Sequence, residues 1–562
     1  MKSMKMKFKN RALLVAAFAG MFAGCEPVTD EADVVVYGGT SAGIAAAVQV
    51  RRMGLSCTVI EPTQRIGGLT TGGLGCTDIG NKKAFGGLAR QFYRDVASHY
   101  AKPSSWTRQR PEKYVNFSQA QREEGEDTMW TFEPSVALGI LESWERKENL
   151  TVVRGERLDR GPGGVTAGGG RITAIRMESG RVFRAKVFID ATYEGDLMAA
   201  AGVSYAVGRE ANAVYGETLN GIERAWAKGH QFMDGVSAYV KEGDPSSGLL
   251  PGIEPDVSDP DGTGDRRVQA YCFRMCLTDD PENRIPFKKP EGYREEYYEL
   301  LFRNLAAMDR VGMKRMPWIN TPMPNRKTDT NNRSAFATDL IGGNWNYPEA
   351  SYAERERIAR VHLRHQQGLM WTLANHPRVP EWVRGEVARW GTCKDEFVGE
   401  RGDGWQNQLY VREARRMVGD YVMTEQNCRG SRVAPHPVAM AAYTMDSHHV
   451  RRYADAQGCV RNEGDVQVRK NADGKRFGPY PIDYGALVPK RGECANLLVP
   501  VCLSASHIAF GSIRMEPVFF ALGQAAGTAA ALAAEDGRAV QDVAYDALRA
   551  RLLRDGQVLS LH

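Results

Sequence analysis

A short apolar run that leads directly into a glycine-rich turn constrains this sequence more than any other feature. Residues 33–37 read Asp-Val-Val-Val-Tyr, residues 38–43 read Gly-Gly-Thr-Ser-Ala-Gly, and an alanine-rich run follows as far as Gly54. A β-branched run bounded by glycine is typical of a buried parallel strand, and the alanine-rich run favours a helix that ends at Gly54. Residues 55–60 predict a second strand with Glu61 at its end, which completes a βαβ unit of about 30 residues.

The turn between the first strand and the helix predicts a dinucleotide site. Glycine lets the chain turn sharply, and the first amides of the helix then meet a pyrophosphate at the positive end of the helix dipole. An acid at the end of the second strand accepts hydrogen bonds from ribose hydroxyl groups. Thr40 stands where the usual Gly-x-Gly-x-x-Gly has its middle glycine, so this motif alone also fits a glycine-rich turn in another α/β fold. The predicted cofactor-binding residues of this unit are Gly38, Gly39, Thr40, Ser41, Ala42, Gly43 and Glu61.

Segments far from this unit favour FAD over a nicotinamide cofactor. A loop at 62–75 is dense in glycine, which suits a chain that runs close along an extended cofactor. A predicted β-meander (151–184) leads into a strand at 185–190, and a buried strand (497–502) precedes a small-residue helix at 518–531. We expect the first turn of that helix to direct its amides to the flavin carbonyls, although tight helix packing also explains its small residues. The further cofactor-binding candidates are Arg65, Gly67, Gly68, Asp190, Gly523 and Gln524.

Together these segments resemble the bacterial FAD-dependent oxidoreductase family with the glutathione-reductase type, two-dinucleotide-binding FAD fold. More closely, they look like a subgroup whose members begin with a Gly-Gly-Thr-x-Ala-Gly turn, in which Thr40 is the usual residue. The same resemblance extends to residues 189–197, 324–329, 394–397, 412–417 and 504–517. It implies FAD as the cofactor and an α/β fold with a Rossmann-like FAD-binding domain, which combines a parallel sheet with a β-meander.

Changes of composition along the chain predict the domain boundaries. We expect the FAD-binding domain at residues 32–207 and 485–540, followed by a C-terminal helix at 541–562. Aromatic, Arg-rich and proline-punctuated sequence at 208–484 predicts an inserted α+β substrate or cap domain. Within it, residues 353–374 have helical periodicity.

The N-terminus has the pattern of an export signal. Five basic residues and no acid accompany an apolar run at 12–23, which is too short to span a bilayer. Residues 22–25 resemble a bacterial lipobox, at which Cys25 is lipidated and becomes the new N-terminus, although Phe22 replaces the usual Leu. We therefore expect a signal peptide at 1–24 and a periplasmic or cell-surface lipoprotein, held to the membrane only through Cys25. Simple signal cleavage and a buried helix are the alternatives.

The charge balance argues against nucleic acid as a partner. The formal net charge is +5, and the five basic residues of the leader account for it. The remainder of the chain is electrically balanced and has no basic stripe with interleaved aromatic residues. We find no later stretch long and apolar enough to cross a membrane, and no His, Cys and acid combination that predicts a metal site.

Polar residues in the second half of the chain are the candidates for proton transfer and substrate binding. Histidine titrates near neutrality, so His507 and His448 are the predicted proton acceptors, with His507 preferred because it precedes the segment expected at the flavin. Arg514 is expected to bind FAD or a substrate oxygen. The predicted substrate-binding residues are Lys327, Asp329 and Arg412, for which a solvated strand or a salt network is the alternative.

The predicted reaction removes a hydride from a carbon bearing a hydroxyl or an amine and transfers it to flavin N5. We expect a small-molecule substrate, with a carbohydrate or polyol favoured by export, and we leave the electron acceptor open among oxygen, a quinone and a protein. One alternative is an exported polysaccharide lyase or glycan-binding protein on a relict nucleotide-binding fold. Another is a dehydrogenase that binds only a nicotinamide cofactor.

Overall fold

The structure, a computed structural model, describes residues 29–255, 259–471 and 473–561. The predicted signal peptide at 1–24 and the predicted lipidation site at Cys25 lie outside these residues. Short 3-10 helices such as Pro103–Ser105 and Pro111–Lys113 occur in the connections.

The described strands, in chain order, are β1 (Thr29–Tyr37), β2 (Cys57–Glu61), β3 (Thr151–Arg154), β4 (Val165–Gly168), β5 (Arg171–Arg176), β6 (Val182–Asp190), β7 (Tyr205–Val207), β8 (Met275–Thr278), β9 (Arg284–Pro286), β10 (Trp318–Met323), β11 (Lys327–Asn332), β12 (Gly391–Cys393), β13 (Arg415–Met417), β14 (Pro437–Ala441), β15 (Met445–Asp446), β16 (Arg451–Ala454), β17 (Val460–Glu463), β18 (Gln467–Val468), β19 (Tyr480–Asp483) and β20 (Leu497–Leu498).

The described α-helices are α1 (Ser41–Arg52), α2 (Gly68–Thr71), α3 (Gly87–Tyr100), α4 (Pro134–Lys147), α5 (Asp196–Ala200), α6 (Asn212–Tyr215), α7 (Glu299–Arg310), α8 (Tyr352–Asn375), α9 (Glu381–Ala388), α10 (Glu425–Cys428), α11 (His507–Ile513), α12 (Glu516–Asp536) and α13 (Tyr545–Arg554).

The main sheet has parallel strands in its centre and confirms the predicted α/β class. Its order is β3-β2-β1-β6-β5-β4, and β20 pairs with the carboxyl end of β6. Strand β1 is parallel to β2 and to β6, and it begins four residues earlier than predicted because Thr29 already pairs with Val182. Val34 and Val35 of β1 face opposite sides of the sheet, and each lies in a different buried cluster. Both faces of β1 are therefore covered, as a continuous β-branched run predicts.

The predicted β-meander is wrong at its first strand. Strand β3 is parallel to β2, with Thr151 opposite Thr58, and therefore belongs to the parallel part of the sheet. Helix α4 precedes it and provides the crossover that a parallel connection needs. Only β4, β5 and β6 form an antiparallel meander.

A second sheet lies between β7 and β13 in the chain. It is antiparallel, with the order β10-β11-β8-β12-β9, and it is accompanied by the long helices α7, α8 and α9. Strand β11 is paired on both sides, by β10 and by β8. A residue on β11 is therefore flanked by protein in the plane of the sheet.

Helices α1 and α12 pack together more closely than ordinary side chains allow. A Cβ on Gly523 would lie 2.1 Å from the Ala42 carbonyl oxygen, and one on Gly527 would lie 2.4 Å from the Ala46 carbonyl oxygen. The neighbouring Gln524 side chain is buried and accepts a hydrogen bond from the Leu88 amide at 2.8 Å. Gly523 and Gln524 were predicted to bind the cofactor, but the structure places Gly523 where the two helix backbones meet and gives Gln524 a hydrogen bond to the start of α3.

The C-terminal part of the chain differs from expectation in two ways. Helix α13 ends at Arg554, and Gly556 then accepts a hydrogen bond from the Gly87 amide at 2.7 Å, so the predicted helix at 541–562 is shorter. Among the described residues, Glu516–Asp536 is long and apolar enough to cross a membrane, contrary to the sequence prediction, although 94% of its apolar window is buried inside the protein.

Replacement of Gly527 by alanine should destabilise the protein. The added methyl group would meet the α1 backbone, and such overpacking costs about 1–3 kcal/mol. The matched control is Gly139→Ala in α4, where a Cβ meets nothing within 4 Å and should raise stability by up to about 1 kcal/mol. Thermal unfolding of both variants checks this, and equal melting temperatures would contradict the packing role of Gly527.

Candidate functional site

The turn after β1 depends on two glycines. Gly38 has φ 98°, and a Cβ there would lie 2.8 Å from the Thr192 amide nitrogen. A Cβ on Gly43 would lie 1.9 Å from the Gly38 carbonyl oxygen, since the chain folds back to begin α1. Thr40 caps that helix, because its hydroxyl accepts from the Gly43 amide and donates to the Ala191 carbonyl at 2.7 Å. That hydroxyl is held by the protein, which explains why threonine fits where the usual motif has glycine.

The start of α1 has the properties of an anion site. Ser41 and Ala42 are its first residues, so their amides have no acceptor inside the helix. The helix dipole favours an anion at this end, and β1, β2 and β6 all end beside it. The edge of a parallel sheet at the carboxyl ends of its strands is where such folds bind nucleotides. The glycine cradle and these amides therefore fit the pyrophosphate of a dinucleotide.

Glu61 lies on the wall of a cavity of about 330 Å³ at this edge of the sheet. Its Oε2 accepts a hydrogen bond from the Gly39 amide at 2.8 Å, and its Oε1 accepts one from the Thr63 amide at 2.7 Å. Burial raises the pKa of Glu61 above its ordinary value. The predicted cofactor-binding residues that line the cavity are Gly38, Thr40, Glu61, Arg65 and Gly68.

The other predicted cofactor residues in this region support the turns around the cavity. The Gly67 amide donates to the Gly39 carbonyl at 2.6 Å. Asp190 is fully buried and accepts hydrogen bonds from the Thr192 hydroxyl at 2.6 Å and the Met198 amide at 2.8 Å. Burial raises the pKa of Asp190 to about 6. Asp190 therefore shapes the turn after β6 and does not line the cavity, so its cofactor-binding role stays a prediction.

Glu516, which the sequence did not single out, joins both ends of the chain beside this cavity. Its Oε2 accepts hydrogen bonds from the hydroxyls of Ser41 at 2.5 Å and Thr70 at 2.7 Å. Its Oε1 accepts one from Tyr193 at 2.7 Å, and Tyr193 also lines the cavity. Burial raises the pKa of Glu516, and the three hydroxyl donors oppose that shift.

A second group of predicted residues comes together around Tyr410. The guanidinium of Arg412 lies 4.4 Å from the centre of the Tyr410 ring, and Arg514 Nη1 donates to the Tyr410 hydroxyl at 2.9 Å. Arg514 also pairs with Asp446 at 3.3 Å. Arg412 pairs with Asp339 Oδ1 at 3.0 Å. Three residues predicted separately from the sequence, His448, Arg412 and Arg514, therefore belong to one buried cluster, which we call the Tyr410 cluster (Asp339, Tyr410, Arg412, Asp446, His448 and Arg514).

His448 and Asp339 form a carboxylate–imidazole pair within this cluster. His448 Nδ1 lies 2.6 Å from Asp339 Oδ2, so Nε2 is the ring nitrogen that Asp339 does not contact. The His448 side chain is 14% exposed. Burial, and then the charge of Arg412, lower the pKa of His448 to about 3, so the imidazole is neutral near pH 7. Burial alone would raise the pKa of Asp339, but Arg412 and His448 hold it well below its ordinary value. A neutral imidazole oriented by a carboxylate has a lone pair on Nε2 that can accept a proton, although a pKa of about 3 lies below the range in which a general base works best.

His507, the preferred proton acceptor from sequence, is enclosed. It is 2% exposed, and its Nδ1 lies 2.7 Å from Glu413 Oε2. Glu413 is also paired with Arg416. Burial, followed by the charge of Arg416, lowers the pKa of His507 to about 3. Gln269 links the two histidines, since its Oε1 accepts from the His448 amide at 3.1 Å and its Nε2 donates to Glu413 at 2.8 Å.

Lys327 and Asp329 lie on β11, and both form ion pairs inside the protein. Lys327 Nζ lies 2.7 Å from Glu396 and 2.8 Å from Glu133, and the residue is 2% exposed. Asp329 is fully buried and binds Arg274 through both oxygens at 2.8 Å. Both side chains are buried and paired with charged groups of the protein, so this placement does not support their predicted substrate-binding role.

Some site residues carried a sequence signal and others carried none. Asp446 and His448 are two residues apart in extended sequence, as are Tyr410 and Arg412, so each pair shares a side of its strand or loop. Nothing in the sequence connects Asp339 with them. Among the described residues, no group of three or more His, Cys, Asp or Glu could hold a metal ion.

Comparison with known proteins gives one family. A sequence model of the family described as FAD dependent oxidoreductase matches residues 33–552. A search of curated proteins gave no match.

Several solved structures match part of the chain. A flavin-containing monooxygenase from Stenotrophomonas maltophilia is 21% identical, with 33% of this chain and 43% of that chain covered and a TM-score of 0.19. An L-amino acid deaminase from Proteus vulgaris is 16% identical, with 33% and 53% covered and a TM-score of 0.24. A probable FAD-dependent monooxygenase from Pseudomonas aeruginosa is 15% identical, with 32% and 48% covered and a TM-score of 0.22. This chain spans less than half the length of the two monooxygenases.

Replacement of Glu61 by glutamine should weaken FAD binding. The variant keeps one acceptor but loses the charged acceptor at the cavity wall, so we expect the Kd for FAD to rise about tenfold. The control is Glu112→Gln in an exposed 3-10 helix. Titration of the apoproteins with FAD, followed by flavin fluorescence, gives both constants, and an unchanged Kd for the Glu61 variant would remove Glu61 from the cofactor site.

Proposed function

The chain belongs to the FAD dependent oxidoreductase family, and from that premise we propose that it removes a hydride from a carbon bearing a hydroxyl or an amine in a small polar substrate. A sugar or polyol is the substrate class that fits an exported enzyme. The single observation that carries the proposal is the His448–Asp339 pair at 2.6 Å, next to the two arginines of the Tyr410 cluster. The cofactor is FAD, and bound FAD supplies a two-electron acceptor at its N5 atom.

Residues from both ends of the chain would hold FAD. The amides of Ser41 and Ala42 would bind the pyrophosphate, and Glu61 would accept hydrogen bonds from the ribose. Arg65 would stay on the cavity wall, because Glu400 holds its guanidinium at 2.6 Å. The amides of Ser41 and Ala42 and the cavity edge would thus orient the cofactor, while Glu516 keeps α12 in place beside them.

The chain's own chemistry in the reaction is the handling of one proton. When the carbon of a CH–OH group loses a hydride, its oxygen must lose a proton to become a carbonyl. We assign that proton to His448 Nε2. Asp339 orients the ring and stabilises the imidazolium that forms, since a carboxylate on Nδ1 favours the charged ring. Arg514 and Tyr410 would bind substrate oxygens beside it.

The family membership does not favour the alternatives from sequence. A polysaccharide lyase, a glycan-binding protein and a dehydrogenase with only a nicotinamide cofactor need no FAD site. We retain export as part of the proposal, with a periplasmic or cell-surface lipoprotein anchored through Cys25, because the leader combines basic residues, a short apolar run and a lipobox-like end.

Substitution of His448 by glutamine should slow anaerobic flavin reduction. Glutamine keeps a polar side chain but cannot accept the proton, and loss of a general base costs about 10²- to 10⁴-fold in rate. His507→Gln is the matched comparison and should retain most of the rate, provided that the flavin absorption spectrum shows a loaded protein. If His507→Gln is the slower variant, the proton goes to His507 and the assignment to His448 is wrong.

Substitution of Cys25 by serine should release the protein from membranes. A thiol is needed for lipid attachment, whereas Cys459→Ser changes a half-buried cysteine in the body and should leave the anchor intact. Fractionation of expressing bacteria, with detection of the protein in membrane and soluble fractions, measures the effect. Wild-type protein found only in soluble fractions would contradict the lipid anchor.

A further inference from the structure

A second cavity lies beside the Tyr410 cluster. Its volume is about 680 Å³, and we call it the arginine pocket. Residues from five separate segments form its walls, which include Asn81, Gln119, Tyr443, Arg469, Arg476 and Phe477.

Two arginines of this pocket have no ion-pair partner among the described residues. Arg469 and Arg476 are exposed, and within the described part of the chain neither side chain makes an ion pair or a hydrogen bond. Most other arginines of the protein are paired, as Arg514 is with Asp446. An acid does lie nearby: Asp78 accepts a hydrogen bond from Gln119 at 2.7 Å and also contacts Tyr443. The pocket itself is lined by no Asp or Glu.

The arginine pocket adjoins the proposed proton acceptor. Tyr443 and Thr444 line the pocket, and the chain then enters β15, where Asp446 pairs with Arg514. The Tyr443 carbonyl accepts a hydrogen bond from Ser512 of α11 at 2.6 Å, which fixes this wall. Arg469 is close enough to Asp446 to lower its pKa, although burial raises that pKa to about 6 overall. A ligand in the pocket would therefore lie next to the Tyr410 cluster.

Two buried donors of the Tyr410 cluster also lack partners. Among the described residues, the Nε atoms of Arg412 and Arg514 are buried without a hydrogen-bond acceptor. A buried donor left unsatisfied costs free energy, and an oxygen-rich anion is the ligand that would satisfy it. The Tyr410 cluster thus holds two arginines with unused donors, and the pocket next to it holds two further arginines, Arg469 and Arg476.

We propose that the substrate carries a carboxylate, as a sugar acid does, and that Arg469 and Arg476 select it at the arginine pocket. This inference rests on the proposed oxidoreductase function and narrows its substrate class. A planar carboxylate matches the bidentate donors of a guanidinium. Its hydroxyl-bearing carbons would extend toward Arg514 and His448.

A carboxylate would also improve the proton acceptor. Burial, and then the positive charge of Arg412, disfavour a protonated His448 and lower its pKa to about 3. A bound anion offsets that charge and raises the pKa of His448 toward the range in which a general base works best. A neutral sugar would not offset the charge of Arg412, so the pKa of His448 would stay low.

The test compares acidic and neutral sugars on the FAD-loaded protein. The probes are D-glucuronate against D-glucose and D-galacturonate against D-galactose, with Kd measured by calorimetry and anaerobic flavin bleaching recorded separately. We expect each uronate to bind at least about tenfold more tightly than its neutral partner, as two additional ion pairs allow. The double variant Arg469→Gln/Arg476→Gln should lose that preference, and Arg469→Lys/Arg476→Lys should retain part of it.

The control variant is Arg364→Gln, an exposed arginine on α8. It should leave every Kd unchanged. Equal affinities for uronates and neutral sugars, or a preference that survives the double glutamine variant, would overturn the inference. So would inorganic phosphate binding as tightly as the uronates, because the pocket would then be a general anion site.

Bleaching separates this inference from the function on which it rests. Flavin bleached by neutral polyols but not by uronates would leave the proposed reaction standing and overturn the acidic substrate. Uronates that bind with the expected arginine dependence but bleach no flavin would support the pocket and overturn the proposed hydride transfer.

Discussion

The carboxylate of Glu516 holds together segments that are up to 475 residues apart in the chain. A buried carboxylate is tolerated only when hydrogen bonds replace the water it has lost, and Ser41, Thr70 and Tyr193 supply them. Ser41 begins α1 and Glu516 begins α12, so this contact fixes the helix pair at the end where the glycine turn lies. The glycines at 523 and 527 then let the two helices approach along their length. The cofactor cavity depends on the Glu516 contact and on the close approach of the two helices.

The two halves of the site use charge in different ways. At the start of α1 the anion is expected to meet amides and a helix dipole, while charged side chains such as Glu61, Arg65 and Glu194 line the cavity around it. In the Tyr410 cluster, Arg412 and Arg514 are buried, and each is paired with an acid. Burying such pairs costs desolvation energy that the pairing only offsets. A cluster of this kind contributes little to stability, and its orphaned Nε atoms suit binding better than folding.

Much of the fold was predictable from local patterns, and part of the site was as well. The strand, glycine turn and helix at 33–54 follow from residue types that act over a few positions, and Gly38, Thr40 and Glu61 lie where the motif predicts. The errors come from long-range pairing. Residues 151–154 look like the start of a meander but pair with β2 across helix α4. Lys327 and Asp329 alternate as on an open strand, and only the tertiary structure shows that both are buried and paired with charges from distant segments.

By itself, the sequence determined the βαβ start, the family and therefore FAD, because these depend on residues close together in the chain. Only the tertiary structure decided that His448 pairs with Asp339, which is 109 residues away, because no local pattern links them. It also decided that Gly523 lies where two helix backbones meet and that Arg412 joins Arg514 around Tyr410. The physical reason is that periodicity and turn chemistry act over a few residues, whereas burial and ion pairing are set by how distant segments close on one another.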